Sequence, residues 1–426
     1  MNESTGPQFC YQTREMVWHL RKSCYGPINP CTNTCYTGYI VFQYFVDELK
    51  LPAFVIIYRY IYPTLAILTL ITSILVLLVL SRKHMQSPTN TVLLYMSIAD
   101  LGVALIPFPF YFSYMVMENY KDSKNFKEPF CYLVLYLTDT LPPLFHNAAI
   151  WLTVLLAAQR CICIRYPVPS MTWCTVRNVK IASGVIVVLS TIFALQRLLE
   201  TENFHLLKFT VFDPGLNVTV MQYRSCIYKH SALVEYISPN VFFNFYYWCR
   251  IVLFITIPSI LLIVFSVLLI ASINDARGRK KRLVSDRRGS EMKKQKDRGA
   301  TTQMLVIIVI IFLVVNLPQG LILAIYSLSQ VWPAVVANIS DYHMSLAANV
   351  DNMLILGTYP INFAIYCSMS TQFRDTFVAL FIKSFKRTNS KSDMTSSLHQ
   401  RKKPSATLID TKTVKKASVE ERKSLL

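Results

Sequence analysis

The run Tyr60–Leu80, YIYPTLAILTLITSILVLLVL, holds no charged residue in 21 positions. Wound as an α-helix it spans about 30 Å, the thickness of a bilayer's hydrocarbon core. Six more blocks of this kind follow: Thr91–Met117, Phe130–Ile164, Val179–Leu199, Phe242–Ile273, Thr302–Leu328 and Ser345–Cys367. Backbone groups inside hydrocarbon need internal partners, so each block should be a helix. Period-2 alternation is absent from the Leu-, Ile- and Val-rich runs, which argues against a barrel. Blocks three and five are longer than one crossing needs and are expected to tilt or to project into water. The expected fold is an all-α membrane protein: a seven-transmembrane helix bundle followed by a short amphipathic eighth helix.

Bulk composition agrees. Hydrophobic residues make up 53% of the 426 and charged residues only 16%, against about 25% charged in an ordinary soluble domain. Mean hydropathy is +0.38. The expected organisation is an extracellular region 1–59, the bundle 60–367, helix eight over 368–382 and a disordered cytoplasmic tail 383–426. No basic start followed by an apolar core precedes Tyr60, so the first crossing is expected to act as an uncleaved anchor.

A net charge of +19 could point to nucleic acid, but its distribution points to a membrane. Residues Asn274–Arg298 carry 11 Lys and Arg against 4 acidic residues, and Lys383–Leu426 carry 12 against 4. The alternate segments are poorer: Met1–Arg59 has 5 basic residues, Thr201–Val241 has 3 and Gln330–Met344 none. The positive-inside rule then sets the N-terminus outside and the tail inside the cell, at the plasma membrane. Most of this basic charge is accounted for by anionic inner-leaflet lipid, worth about 1 kcal/mol per residue. The remainder is available to a signalling partner.

Of 11 cysteines, Cys10, Cys24, Cys31 and Cys35 fall in the N-terminal region, where three pairings are open. Cys131 and Cys226 fall at the outer end of helix three and in the long loop after helix four. Their pairing is the expected disulfide, because it would pin that loop across the bundle mouth. Cys161, Cys163, Cys174, Cys249 and Cys367 are intramembrane or cytoplasmic and read as small buried hydrophobes rather than metal ligands. The triplet N-x-S/T occurs at Asn2, Asn217 and Asn338, all on the expected outer side. Asn2 and Asn217 are the glycosylation candidates.

Ionisable groups at membrane depth are functional candidates by default. Asp100 sits mid-helix in block two, with Asn362 of block seven and a small cation as expected partners. A plain interhelical polar contact is the simpler alternative. Pro107, Pro109, Pro258, Pro318 and Pro360 each remove a backbone hydrogen bond and permit a kink. Arg160 ends helix three on the cytoplasmic side. His146 lies about 21 Å above it and Asp139 about 10 Å higher still. Arg250 stands two turns before Pro258, and Asp351 lies in the outer part of helix seven. With Tyr246, Tyr247, Gln319 and Tyr326 these residues would line an outward cavity, polar anchors among aromatics. Taken singly, Asp139 and Asp351 also suit an interfacial position and Arg250 a snorkelling one.

Over Tyr60–Phe381 the chain resembles the rhodopsin-like (class A) G-protein-coupled receptors. The residues that carry the likeness are Ser97-Ile98-Ala99-Asp100, Pro258, Pro318 and Asn362-Phe363-Ala364-Ile365-Tyr366. Gln372-Phe373-Arg374-Asp375-Thr376-Phe377 suits the family's eighth helix. A narrower resemblance is to the sex-peptide or myoinhibitory-peptide receptor group of invertebrates. Its carriers are Arg82-Lys83-His84-Met85, Ser87-Pro88-Thr89-Asn90, Ile150-Trp151-Leu152-Thr153, Gln159-Arg160, Thr172-Trp173-Cys174-Thr175 and Tyr359-Pro360-Ile361-Asn362-Phe363. The likeness implies short amidated peptide ligands and coupling to a heterotrimeric G protein, of the inhibitory type.

Departures from the broad pattern bear on activation. Gln159 stands where an acidic residue usually precedes the helix-three arginine, so no ion pair with Arg160 forms there. Cys161 replaces a Tyr, Phe363 a Pro and Ser73 an Asn. The usual helix-six Trp is missing, with Asn316 in its neighbourhood. Activation is expected to be a population shift that exposes Arg160 to the G protein. Asp100, Pro258, Pro318, Asn362 and Tyr366 would transmit it. The Ser- and Thr-rich tail would take phosphate from a receptor kinase and recruit arrestin. The rival readings are a chemosensory receptor for small molecules and a transporter. Helix seven has no Lys for retinal, and no inverted repeat is visible. No catalytic or cofactor constellation appears.

Overall fold

In the computed structural model six helices among the described residues are long and apolar enough to cross a bilayer. They are α1 Ala53–Leu80, α2 Pro88–Val116, α3 Cys131–Arg165, α4 Val176–Glu200, α5 Pro239–Ser272 and α6 Val306–Ser329. A seventh, α7 His343–Ser368, reaches that threshold together with the short helix that follows it. The structure describes residues 9–11, 40–41, 52–117, 128–213, 218–283, 289–332 and 341–383. Asn2, Asn217, Asn338, Cys24, Cys31, Cys35 and the tail beyond 383 lie outside those residues.

Local chemistry sets several boundaries. Ser87 caps α2, its Oγ accepting from the Asn90 N–H at 3.2 Å, and Pro88 supplies the preset first position. At the other end of that helix Pro107 and Pro109 break the ladder. The α-helical stretch stops at Leu105, a turn crosses Ile106-Pro107, and the chain resumes over Phe108–Tyr111.

α3 is the central helix. In its most apolar window 61% of residues are buried, against 17% in α4, which therefore lies at the rim. One apolar cluster joins Tyr62, Ala66, Ala104, Val315 and Tyr359, and another joins Ile150, Val154, Phe254, Leu262 and Phe312. Lipid tails are as apolar as these side chains, so close packing and polar links must hold the helices together. Gly102 supplies close approach: a Cβ there would stand 2.6 Å from the Phe145 ring of α3. Polar links run between helices as well. Ser327 of α6 donates to Asn244 Oδ1 of α5 at 2.5 Å. Thr69 of α1 donates to the Leu356 carbonyl of α7 at 3.5 Å. That carbonyl is the one Pro360, four residues on and lacking an N–H, cannot serve.

The segment Thr201–Val241, expected as a long loop, is mostly ordered as a hairpin. β3 Thr201–Asp213 pairs antiparallel with β4 Val218–His230, from Thr201 opposite His230 to Asp213 opposite Val218. β1 Phe9–Tyr11 adds in parallel to β3, and β2 Ile40–Val41 adds antiparallel to β4, for the order β1-β3-β4-β2. The bundle is all-α as expected, and the sheet is an addition to it. The missed cue is Asp213-Pro214-Gly215, a turn triplet between two β-rich runs.

Met1–Asp375 form one compact unit and Thr376–Leu426 a second. After α7 a helix runs over Thr371–Phe377 and passes into π turns over Val378–Lys383, with the Phe377 and Phe381 rings 5.0 Å apart.

Candidate functional site

Among the described residues, three helices carry a stretch of π-helix on the approach to a proline. In α1 it is Ile57–Ile61 before Pro63, in α3 Leu135–Thr140 before Pro142 and Pro143, and in α5 Ile251–Thr256 before Pro258. In each case the carbonyl four residues before the proline, on Arg59, Thr138, Asp139 or Phe254, lies within the π stretch. A proline cannot donate to that carbonyl, and widening the ladder absorbs the mismatch. Tyr58, Thr138 and Asp139 sit on these stretches, and Arg250 immediately precedes one.

All four line a cavity of about 400 Å³. So do His146, Tyr246, Tyr247, Gln319, Tyr326 and Asp351. The eight residues the sequence nominated for an outward cavity are thus brought together, from α3, α5, α6 and α7. Sequence reading missed Arg197 of α4 and the tyrosines Tyr58, Tyr62 and Tyr111, which complete the wall. Arg197 was findable, being a cation inside the apolar block Val179–Leu199.

The walls differ in character. On one side Tyr58 stacks on Tyr111 at 4.8 Å, Tyr62 meets Tyr111 edge-on at 4.8 Å, and the Tyr58 hydroxyl donates to Asn349 Oδ1. On another Phe193 stacks on Tyr246 at 5.5 Å, and Tyr246 tilts against Tyr247. Aromatic walls of this kind suit apolar and aromatic ligand groups.

Charge is divided between two places. Arg197 donates to Glu200 Oε2 at 2.6 Å and to Asp139 Oδ2 at 3.5 Å, which occupies that guanidinium. Arg250 and Asp351 both line the cavity, and the charge of Arg250 acts on the Asp351 carboxylate. No ion pair closes between them among the described residues. Asp351 is 4% exposed and its Oδ1 has no hydrogen-bond partner. His146 Nδ1 lies 3.2 Å from the Tyr359 hydroxyl, and its Nε2 is also unpartnered. Buried polar atoms without partners are rare and call for an explanation.

Below the cavity Asp100 is 6% exposed and lies near the side chain of Asn362, which the sequence reading named as its partner. Pro258 is fully buried, and Pro318 and Pro360 sit inside uninterrupted helices. Tyr366 is 3% exposed and packs against Phe373, whose ring also meets Phe363. Arg160 Nε has no partner, and neither do the Oε1 and Nε2 of Gln159, a residue 4% exposed. The activation residues named from sequence are therefore strung along the bundle, not gathered in one site. The Cys174 thiol lies 4.0 Å from the Gln159 carbonyl, and burial and the neighbouring Cys163 thiol push it up to about 11, so it stays protonated.

Cys131 is buried and disulfide-bonded. On the backbone Cys226 lies in β4 opposite Leu206. Cys161, Cys163, Cys174, Cys249 and Cys367 are free thiols.

A bundle of membrane-crossing helices around a cavity, with Arg160 and Arg165 at the far end of its central helix, describes a G-protein-coupled receptor. The chain belongs to the family described as "Serpentine type 7TM GPCR chemoreceptor Srw", whose model matches residues 60–384. It is a multi-pass membrane receptor, not an enzyme. It is 38% identical over 352 residues to sex peptide receptor-related protein 2 of Caenorhabditis elegans, covering 82% of this chain and 76% of that one. To the sex peptide receptor of Drosophila melanogaster it is 30% identical over 328 residues, 76% of this chain and 72% of that one. To the FMRFamide receptor of the same fly it is 22% identical over 332 residues, 74% and 52% of the two chains.

Proposed function

We propose that this receptor is switched by a short neuropeptide with an amidated C-terminus, bound from outside the cell in the cavity between Asp139 and Asp351. The observation that carries the reading is the cavity itself. Four charged residues, a histidine and a group of tyrosines converge on about 400 Å³, and two of the buried polar groups await a partner. Relatives named for peptides, among them the FMRFamide receptor, support the same ligand class. In this reading the N-terminus is extracellular and the tail cytoplasmic, Cys131 pairs with Cys226, and Asn2 and Asn217 carry sugar.

Peptide binds the active arrangement better, and the differential affinity sets how far the population moves. The Arg160 end of the bundle then opens to a heterotrimeric G protein of the inhibitory type. A helix over Thr371–Phe377 lies along the membrane surface, and a kinase and arrestin act on the tail.

The family's description as chemoreceptors favours a second reading, a small-molecule sensor. One experiment separates the two. Cells expressing the receptor are challenged with a library of amidated peptides and, in parallel, with small volatile and water-soluble odorants, reading calcium and cyclic nucleotide. A response to peptides at nanomolar to micromolar concentration is expected. A response to odorants alone would reverse the reading.

A further inference from the structure

Asp351 and Arg250 face one cavity from two helices with a donor side and an acceptor side both unused. The Asp351 carboxylate is 4% exposed and leaves Oδ1 without a partner. The Arg250 guanidinium has no hydrogen-bonded partner among the described residues, whereas the cavity's other cation, Arg197, is held by Glu200 and Asp139. A group that fills such a gap must offer an N–H to Asp351 and a carbonyl oxygen to Arg250. A neutral group meets both without repulsion, whereas an anion is repelled by Asp351 and a cation by Arg250.

From this geometry we infer that Asp351 and Arg250 form the subsite that reads the ligand's primary carboxamide and rejects the corresponding carboxylic acid. The carboxamide nitrogen donates to Asp351 Oδ1, and its oxygen accepts from Arg250. A free carboxylate satisfies Arg250 but brings a second negative charge against Asp351 and has no proton to give it. Rejection by an unmatched buried group is how sites achieve discrimination that attraction alone does not supply. The inference rests on the peptide reading above and names the part of the cavity that would make amidation a requirement.

The test uses peptides without Asn or Gln, so that the C-terminus carries the sole primary carboxamide. The set contains Phe-Met-Arg-Phe-amide and longer amidated peptides ending in Trp, Phe or Tyr, each also made as the free acid. Potencies are read in cells at matched surface level for the wild-type receptor, Asp351→Asn and Arg250→Gln. In the wild type the amide should exceed the acid by about tenfold or more. Asp351→Asn keeps the shape, removes the charge and can donate to a carboxylate, so the ratio should collapse to within about threefold, with the acid gaining. Arg250→Gln should weaken both forms.

A merely structural role for Asp351 predicts that amide and acid lose potency together with their ratio unchanged. That result overturns the inference while leaving the peptide reading intact. Should Asp351→Asn fail to reach the surface, an unchanged ratio in Arg250→Gln with undiminished potency would overturn it equally. Silence toward every peptide, amide or acid, while odorants evoke a response removes the peptide reading and the inference with it.

Discussion

The two ends of α3 solve the same problem, how to keep ionisable groups inside a helix bundle, in opposite ways. At the cavity end, Asp139 has the Arg197 cation beside it, and Arg197 is shared with Glu200. At the other end, Arg160 follows a glutamine rather than an acid, and both polar atoms of Gln159 and the Nε of Arg160 are buried without partners. A saturated network holds one arrangement of helices firmly, because separating a buried pair exposes both members to an unfavourable medium. An unsaturated one gives no such penalty for rearrangement, and a partner that supplies the missing contacts gains from them. The Asp139–Arg197–Glu200 group is built to hold its shape, while His146 Nε2 and Asp351 Oδ1 stay unpartnered in the same cavity. The Arg160 end keeps two buried donors and one acceptor without partners.

The hardest way to break this comparison is to remove Arg160. Arg160→Ala should abolish the G-protein response, a loss of about a hundredfold or more in maximal signal, while surface level and ligand affinity change by less than about threefold. Binding and signalling measured on the same cells check it. If affinity fell as far as signalling, the two ends would not be separable.

Next in size is Arg197→Ala. It takes the 2.6 Å partner from Glu200, a residue 2% exposed, and the cation from Asp139. A stability loss of about 2 kcal/mol or more is expected, seen as a lower melting temperature of the detergent-purified receptor and a reduced surface level. Asp139→Asn on top of Arg197→Ala should cost less than the sum of the single changes, because the two groups share one interaction. Strict additivity would show that the 3.5 Å contact contributes nothing.

Much of the bundle could be read from sequence because a bilayer constrains it so strongly. Tyr60–Leu80 can hardly be other than a crossing helix, and the cavity residues declared themselves as polar groups at membrane depth. The ends of elements were less legible. α1 begins at Ala53 rather than Tyr60, because residues such as Arg59 and Tyr60 look interfacial yet continue the helix through π turns. Those turns are set by Pro63, Pro142 and Pro143, prolines inside or beside apolar runs that hydropathy alone passes over. The β3–β4 hairpin was hidden for another reason. Strand pairing depends on where the two runs meet, and Phe204 or Tyr228 carries no mark of its partner. The tyrosines Tyr58 and Tyr111 reach the cavity through side-chain stacking, which is decided by packing after the backbone is set.

Gln159→Glu sharpens the comparison from the opposite direction by giving the Arg160 end the acid it lacks. The new carboxylate is buried beside a guanidinium whose Nε is free, so a charge-assisted contact should form in the resting arrangement. Basal signalling should fall by about threefold to fivefold, equivalent to about 1 kcal/mol of added bias toward the resting state. Agonist potency should move to higher concentration by a similar factor. Higher basal activity would mean that Gln159 is satisfied in the resting receptor in a way the unpaired amide does not suggest.

The smallest effect belongs to the contact between the two regions. Gly102 on α2 lies close to Asp100 and faces Phe145, which adjoins His146 of the cavity. In Gly102→Ala the added methyl would stand 2.6 Å from the Phe145 ring, closer than any real contact allows, so the ring must turn or α2 must retreat from α3. An aromatic side chain with room to rotate gives way cheaply, and overpacking of this size usually costs about 1–3 kcal/mol. The lower end of that range is expected here because the clash is with a side chain and not with backbone. The melting temperature should fall by a few degrees at most. Ligand affinity, which in the proposed reading involves His146 and its neighbours, should fall by about twofold, and the maximal G-protein response should persist. A variant with unchanged affinity and a lost response would place the coupling between the two ends in the α2–α3 contact itself, so that cavity and Arg160 communicate through Phe145 rather than through the Asp100–Asn362 link.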